Sequence, residues 1–282
     1  MTTSSDTPQF LLSVVRYGDP QVVVVLADKL SQSAARDQVV VSVADNGPGV
    51  SPDLERLHRS GVIDHLVLAT DNPGYFPSAF TAISEALTDD IRWAIVANPD
   101  MDIDFAEATR HLRSWDDKQP VVVVPQVWEN DGRDSKNPHI IARPRLRWFV
   151  SRAMIHSTYL SHWTFMWLHR RRHSGQPSAP RTVMDPLLPM YAPHGSIVAL
   201  SRPALDLLGA AANRAILYSE EIWLGEHCRR LGIDIRLDSH WKVIHESHSS
   251  TGVLTARSRQ RLWRRASARS LRLRVFGDGV KR

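Results

Sequence analysis

Asn98-Pro99-Asp100-Met101-Asp102 is the stretch that decides the reading of this chain. It follows directly on Trp93-Ala94-Ile95-Val96-Ala97, an apolar run with the length of one buried strand. Two carboxylates one residue apart at the mouth of a strand can share a hard cation, and that cation can grip a diphosphate. A nucleotide-sugar is the kind of ligand such a pair suits. The rest of the chain should then supply a nucleotide pocket, a further metal ligand and a base.

Upstream of this stretch, apolar and amphipathic segments alternate. Residues 10–15 read as a strand, and Asp19-Pro20 offers a cap and a first-turn proline for a helix over 21–35, with Val22, Val23, Leu26 and Leu30 on one face. The run of valines at 22–25 also has strand propensity. A strand over 38–44 ends in the turn Asp45-Asn46-Gly47-Pro48-Gly49, and another strand is expected at 63–69. Helices are predicted at 76–87 and 104–115, the second capped by Asp104, and a four-valine strand at 120–125. Strands alternating with helices imply right-handed crossovers and a mostly parallel central sheet flanked by helices.

Ligands of such sheets gather at the carboxyl ends of the strands. The polar segments Arg16-Tyr17-Gly18-Asp19, Asp45-Asn46-Gly47, Thr70-Asp71-Asn72-Pro73-Gly74-Tyr75 and 98–102 all fall there. No G-x-G-x-x-G follows the first strand and no Walker phosphate loop is present, which disfavours a dinucleotide fold and a P-loop enzyme.

The 282 residues allow one large domain, or a domain with a tail, and are enough to bury a core. The single cysteine, Cys228, rules out a disulfide framework and fits a small buried hydrophobe in a reducing, cytoplasmic setting. Residues 1–9 are polar and lack the pattern of a secretory signal. No apolar run is long enough to suggest a membrane-spanning helix. The formal charge of +5 is concentrated after residue 140, at 143–147, 170–172 and 257–282, where it would attract phosphates, anionic lipid or nucleic acid.

The ordered series resembles the family 2 glycosyltransferases of the GT-A fold, especially the bacterial rhamnosyltransferase-like members. The resemblance rests on Asp45-Asn46-Gly47, Asn72-Pro73-Gly74-Tyr75 and 98–102, then on the glycine-led segment His194-Gly195-Ser196-Ile197-Val198-Ala199-Leu200-Ser201-Arg202. It continues through Tyr218-Ser219-Glu220-Glu221 with Arg229-Arg230-Leu231-Gly232, and Val243-Ile244-His245 with Ser249-Ser250-Thr251-Gly252. The chain departs from the family at its first strand, which ends Val15-Arg16-Tyr17-Gly18-Asp19, and over 138–186, where nothing matches and the acceptor site is expected.

The resemblance implies a GT-A (nucleotide-diphospho-sugar transferase) domain over 1–255. Its nucleotide-binding half would be 1–125, and its acceptor and catalytic half 126–255 with an insertion at about 138–186. A basic helical tail would occupy 256–282. An inverting transfer is implied, from a dTDP-, UDP- or GDP-sugar, with rhamnose suggested by the resemblance alone, to a hydroxyl of a polysaccharide or lipid-linked glycan. The implied cofactor is Mn2+ or Mg2+. Asp102 is expected to touch the cation directly, Asp100 to meet the ribose or the metal through water, and His245 to be the further ligand, which tilts the choice towards manganese. The alternative for the acidic pair is a solvated turn capping the helix near Asp104.

The base implied is Glu221, paired with Glu220 in the first turn of a helix that Ser219 would cap and Gly232 would stop, with Leu224, Cys228 and Leu231 on its apolar face. The helix dipole favours both carboxylates ionised, while their mutual repulsion opposes this. The alternative is that both are ordinary first-turn acids stabilising the helix. Asp45 is expected to bind the nucleotide base, or simply to close its turn. Asn72 and Gly74 would shape the loop beside the donor, Gly74 by allowing close backbone approach. His194 and Gly195 would line the donor or acceptor pocket. His248 is a second-ligand candidate or loop surface, and His156, His162, His169 and His173 show no ligand spacing.

The aromatic-rich stretch 146–168, flanked by basic clusters, reads either as an amphipathic segment on an anionic membrane or as a helix pair packing on the sheet or another subunit. The tail, with arginines at 257–274, reads as a basic helix that could meet a membrane surface. A peripheral position at the inner face of the cell membrane and a homo-oligomer are compatible with both. Two other classes stand beside the transferase: a nucleotidyltransferase acting on sugar phosphates, which would need a glycine-rich triphosphate loop, and a non-catalytic binder of nucleic acid or anionic surfaces. No zinc signature, helix-turn-helix or RNA-recognition motif is present, so no nucleic-acid partner is expected.

Overall fold

Apolar runs that stay apolar on both pleat faces become the centre of an eight-stranded sheet. In the computed structural model, which describes residues 9–69, 72–130, 135–173, 187–209, 219–246 and 255–277, β1 (Phe10–Arg16) and β4 (Trp93–Ala97) are buried along their whole length. The pleat of β1 divides two cores. Leu11 and Val15 pack on one side of the sheet, and Phe10, Leu12 and Val14 on the other.

The second of these cores is closed by α1 (Gln21–Ser31), α2 (Pro52–Arg59) and α4 (Phe105–Arg113). Helix wins over strand in the valine run of α1 because Val23, Leu26, Ala27 and Leu30 share one buried face. Asp19 Oδ1 accepts a hydrogen bond from the Gln21 amide at 2.9 Å, and the helix stops at Ser31, short of the expected 35. Asp104 caps α4 by accepting from the Glu107 amide at 3.0 Å, as its position predicts. Sequence reading overlooked α2, whose charged surface hides Leu54 and Leu57, its two buried residues.

The first core is closed by α3 (Tyr75–Ala86), α7 (Arg202–Gly209) and α8 (Glu220–Leu231). The remaining strands are β2 (Val39–Asp45), β3 (His65–Leu68), β5 (Met101–Asp102), β6 (Val121–Glu129), β7 (Ile197–Ser201) and β8 (Asp234–His245).

The sheet runs in the order β3-β2-β1-β4-β7-β6-β8-β5, and it is mixed. This corrects the expectation of a mostly parallel sheet. The strands β3, β2, β1 and β4 are mutually parallel, as are β6 and β8, but β7 is antiparallel to both β4 and β6, and β5 to β8. The physical reason lies in where the chain enters β7. It arrives from the ligand end of the sheet, with Ser196 O accepting from the Asn98 amide at 2.7 Å, and runs away from that end.

Two helices, α5 (Leu146–Ile155) and α6 (Tyr159–His173), occupy the stretch that matched no pattern. They do not cover the sheet. They pack with the C-terminal helix α9 (Ala256–Phe276), which also touches α8 and places Leu273 in the first core.

Candidate functional site

The carboxyl ends of β1 and β2 are locked together by charge. Their parallel register puts Arg16 beside Asp45, and the Arg16 guanidinium donates to Asp45 Oδ1 at 2.7 Å with both side chains buried. The same oxygen accepts from the Gly47 amide at 2.9 Å and Oδ2 accepts from the Ser51 amide at 3.3 Å. Asp45 therefore closes its turn and anchors Arg16, a commitment that the expected base-binding role did not include. A Cβ on Gly47 would fall 1.4 Å from an Arg16 nitrogen, so only glycine lets the guanidinium lie across this loop.

Asn46 ties in the next loop by donating to Asn72 Oδ1 at 3.1 Å. Asn72 has φ of 43° and Gly74 φ of 113°, so the loop before α3 doubles back sharply on the two residues expected to shape it. Its other expected members, Thr70 and Asp71, lie outside the described residues, as do Tyr218, His248 and 249–252.

Next along the sheet end stands Asp100, between β4 and β5. Its carbonyl accepts from the Glu246 amide at 2.9 Å, just past β8, and its Oδ1 lies 3.3 Å from His245 Nε2. Asp100 Oδ1 and both His245 ring nitrogens are buried without a hydrogen-bond partner among the described residues. Asp102, expected to touch the cation, is placed differently. The β5–β8 register sets Met101 opposite His245 and Asp102 opposite Ile244, so the pleat directs Asp102 to the other face. There its Oδ1 accepts from Lys29 Nζ at 2.9 Å, a bond that raises the Lys29 ammonium above its ordinary pKa, and Glu246 lies 3.5 Å from the same nitrogen. A groove of about 290 Å3 between α1 and this loop is lined by Asp19, Val22, Lys29, Pro99, Asp100 and Glu246.

His194 continues the line. Its ring centroid is 6.4 Å from that of His245, and its Nδ1 pairs with Ser196 Oγ at 2.9 Å. Burial, with His139, His245 and Lys136 nearby, lowers its pKa to about 3, so the ring is neutral. The fully buried Asn137 fixes the loop: its Oδ1 accepts from the His194 amide at 2.7 Å while its Nδ2 donates to Pro125 O at 3.0 Å. Sequence reading gave no sign of this side chain, because a lone asparagine in an irregular stretch has no periodic context.

Gly195 brings the base candidate in. A Cβ there would sit 3.7 Å from Glu221 Oε1, so the bare backbone lies against that carboxylate. Near Glu221 lies the half-buried Arg152 of α5, whose pKa is lowered by burial and raised by the Glu221 charge. Glu220 is buried, and its Oε2 accepts from the Ser219 amide at 3.0 Å. The helix start is thus closed by Glu220, and the Ser219 side chain makes no cap bond, contrary to expectation. Gly232, with φ of 72°, ends α8 as predicted. Between the two halves stands Tyr75, whose phenol is pushed well above its ordinary pKa by burial and by the Asp100 and Glu220 carboxylates. Its hydroxyl has no hydrogen-bond partner among the described residues.

Asp100, His245, His194, Gly195 and Glu221 therefore form one continuous line across the ligand end of the sheet, with Tyr75 beside it. The pair Asp100 and His245 suits a divalent cation, because each presents to the other a buried donor atom, one oxygen and one imidazole, with no hydrogen bond among the described residues. Among the described residues no group of three or more such ligands assembles, so a bound diphosphate and water would have to complete the coordination shell.

No family model and no curated protein matches the chain by sequence. Among solved structures it is similar to a crystal structure of GalNAc-T7 with UDP, GalNAc and Mn2+, at a TM-score of 0.58 and 10% identity. The match covers 88% of this chain and 44% of that one, so the chain spans less than half of its neighbour's length. The likeness establishes the fold alone: an α/β architecture of the GT-A type, with a mixed sheet.

Proposed function

We propose that the protein transfers a sugar from a nucleoside-diphosphate sugar to an acceptor hydroxyl, with inversion at the anomeric carbon. The observation that carries this reading is the Asp100–His245 contact at 3.3 Å, whose facing atoms are buried and make no hydrogen bond among the described residues, aligned through His194 and Gly195 with Glu221. The neighbour in the comparison was crystallised with a nucleoside diphosphate, a sugar and Mn2+, which supports the same ligand classes here.

Asp100 and His245 would hold the divalent ion, Mn2+ or Mg2+, and Asp102 would act through Lys29 at the rim. Bound there, the ion would neutralise charge developing on the departing diphosphate. Glu221, in the first turn of α8, accepts the proton of the acceptor hydroxyl as that oxygen bonds to the anomeric carbon and the bond to the diphosphate breaks. Glu221 stands in the first turn of α8, beside Gly195. Tyr75, held neutral, can donate a hydrogen bond into the site. His194, also neutral, adds no charge beside the cation. The Arg16–Asp45 lock and the Asn46–Asn72 bond shape the nucleotide end. Within this reading the acceptor is a polysaccharide or lipid-linked glycan, and rhamnose is the sugar suggested by the sequence resemblance.

Thermal-shift screening with UDP, dTDP and GDP in the presence of Mn2+ names the nucleotide. Incubation with the corresponding nucleotide-sugars should then release nucleoside diphosphate, with Glu221→Gln lowering turnover by roughly a hundredfold or more, the contribution of a positioned base. Undiminished turnover in that variant would remove Glu221 from the chemistry, and the absence of any nucleotide-induced shift would refute the reading as a whole.

A further inference from the structure

The helical unit α5–α6–α9 is built unlike the rest of the surface. In α5, Leu146, Val150 and Met154 recur at intervals of four and are all exposed, Met154 by 67%. In α6 every residue from 163 to 168 is exposed, and among its apolar residues Leu160 reaches 72% and Trp163 52%. Such exposure all round a helix leaves it projecting from the body of the protein, with His162 its buried foothold. The aromatic residues are ordered. Trp163 and Trp167 stack at 6.3 Å, and the Arg171 guanidinium lies 3.9 Å above the Trp167 ring.

Charge in this unit has one sign. The helices α5, α6 and α9 contain no Asp or Glu, and α9 alone carries eight arginines. Of these, Arg257, Arg261, Arg264, Arg265 and Arg272 are exposed at the spacing of one helix face. The faces meet where Arg257 lies 6.0 Å from the Tyr159 ring, at the first turns of α9 and α6. Phe276, 81% exposed, adds an apolar residue at the far end of α9.

We propose that α5, α6 and α9 form a docking surface for an anionic lipid bilayer. Exposed tryptophan, leucine and methionine side chains beside arginines match the interface between acyl chains and negatively charged headgroups. A nucleic acid would satisfy the arginines and could stack on the tryptophans, but it would leave the aliphatic Leu146, Met154 and Leu160 in water. A second copy of the chain would bring arginine faces together with no acidic residue in these helices to receive them. No helix of the described residues is long and apolar enough to cross a membrane, so the contact is peripheral. Arg152 of α5 lies near Glu221, so docking through this unit would hold the proposed transfer site close to the bilayer. That last consequence rests on the proposed function; the docking itself does not.

The test is co-sedimentation of the purified chain with vesicles of phosphatidylcholine alone or mixed with phosphatidylglycerol, without nucleotide. The mixed vesicles should bind it at least about tenfold more strongly, and high salt should weaken the binding. Leu160→Gln combined with Trp163→Gln, which leaves the charge unchanged, should cost about tenfold or more in partitioning at low salt, where a purely ionic contact would persist. Leu160→Gln with Met154→Gln should give an intermediate loss, and circular dichroism should show both variants folded. Glu221→Gln should bind vesicles like the wild type, which separates this surface from the transfer reaction. Equal binding of wild type and the Leu160/Trp163 variant, a stable dimer with no vesicle binding, or RNA binding that outcompetes vesicles would each overturn the proposal.

Discussion

Glu226 offers the sharpest test of how the site is held. It lies five residues beyond Glu221 on α8 and is completely buried. Its carboxylate accepts from Arg143 at 2.7 and 2.8 Å and from the Tyr191 hydroxyl at 2.9 Å, with Arg229 and Arg230 within 3.7 Å. Burial alone would raise its pKa. The bonds from Arg143 and Tyr191, with the charges of Arg143 and Arg229, outweigh that and hold it below the ordinary value. Glu226→Ala leaves the Tyr191 hydroxyl and the Arg143 guanidinium without their acceptor. Breaking a buried pair of this kind costs about 3–5 kcal/mol, and Arg143 is exposed enough to rehydrate, which places the loss near 3 kcal/mol. With an unfolding entropy of about 2.1 cal/mol/K per residue, 282 residues convert this to a Tm drop of about 5 °C. Calorimetric melting at neutral pH measures it, and Tyr191→Phe, which removes one donor, should reproduce only about 1 kcal/mol of that loss. The group has a depressed folded pKa, so its stabilisation is present above the unfolded value of about 4.5 and fades as pH falls below it. The gap between wild type and variant must therefore shrink in acid. A Tm drop under about 1 °C at neutral pH would show that Glu226 does not brace α8.

Further outcomes follow from the same geometry. A Cβ on Gly225 would lie 2.5 Å from the Tyr191 carbonyl, so Gly225→Ala should destabilise by about 1–3 kcal/mol and lower turnover by shifting α8, measurable by melting and by nucleoside-diphosphate release. His156 and His162 share a short Nδ1–Nδ1 contact of 2.8 Å in the α5–α6–α9 unit. Burial, with Arg152 and His162, lowers His156 to about 4, and burial, with Arg259, lowers His162. Both rings are thus favoured neutral in the folded state, so stability present above pH 6.5 is lost as pH falls towards 4, and a His156→Gln, His162→Gln chain should show a flatter melting profile across that range. Lys29→Met should weaken nucleotide binding through the rim contact with Asp102, by less than tenfold because that pair is partly exposed; a larger loss in calorimetric titration would place Lys29 on the ligand itself.

The strands most legible in the sequence were those buried on both faces. β1, β4 and the first half of β6 announce themselves as largely apolar runs, and Gly74, Asp104 and Gly232 stand where turn and cap chemistry puts them. β8 was visible only at its end, because His240 and Lys242 interrupt a strand whose pattern Asp234–His245 alternates irregularly. The direction of β7 depends on the path by which the chain reaches it, which no local pattern encodes. The placing of Asp102 away from His245 has the same origin: the register between β5 and β8 selects its face, and pairing register is a property of the assembled sheet, while Asp100 meets His245 from the turn before β5. Asn137, Arg143 and Arg152 come from a stretch without a matching motif, and each acts through a partner far along the chain. Glu226 left a trace, a carboxylate inside the buried run from Ile222 to Cys228, which signals a paired buried charge.

The central claim is that Asp100 and His245 bind the cation that receives the diphosphate. Diffraction at the manganese absorption edge, from crystals grown with Mn2+ and the nucleoside diphosphate chosen by thermal shift, tests it directly. The account predicts an anomalous peak within coordination distance of both Asp100 Oδ1 and His245 Nε2, lost in Asp100→Asn with His245→Ala. A peak beside Asp102 and Glu246 instead, or bound nucleotide with no metal at His245, would contradict it.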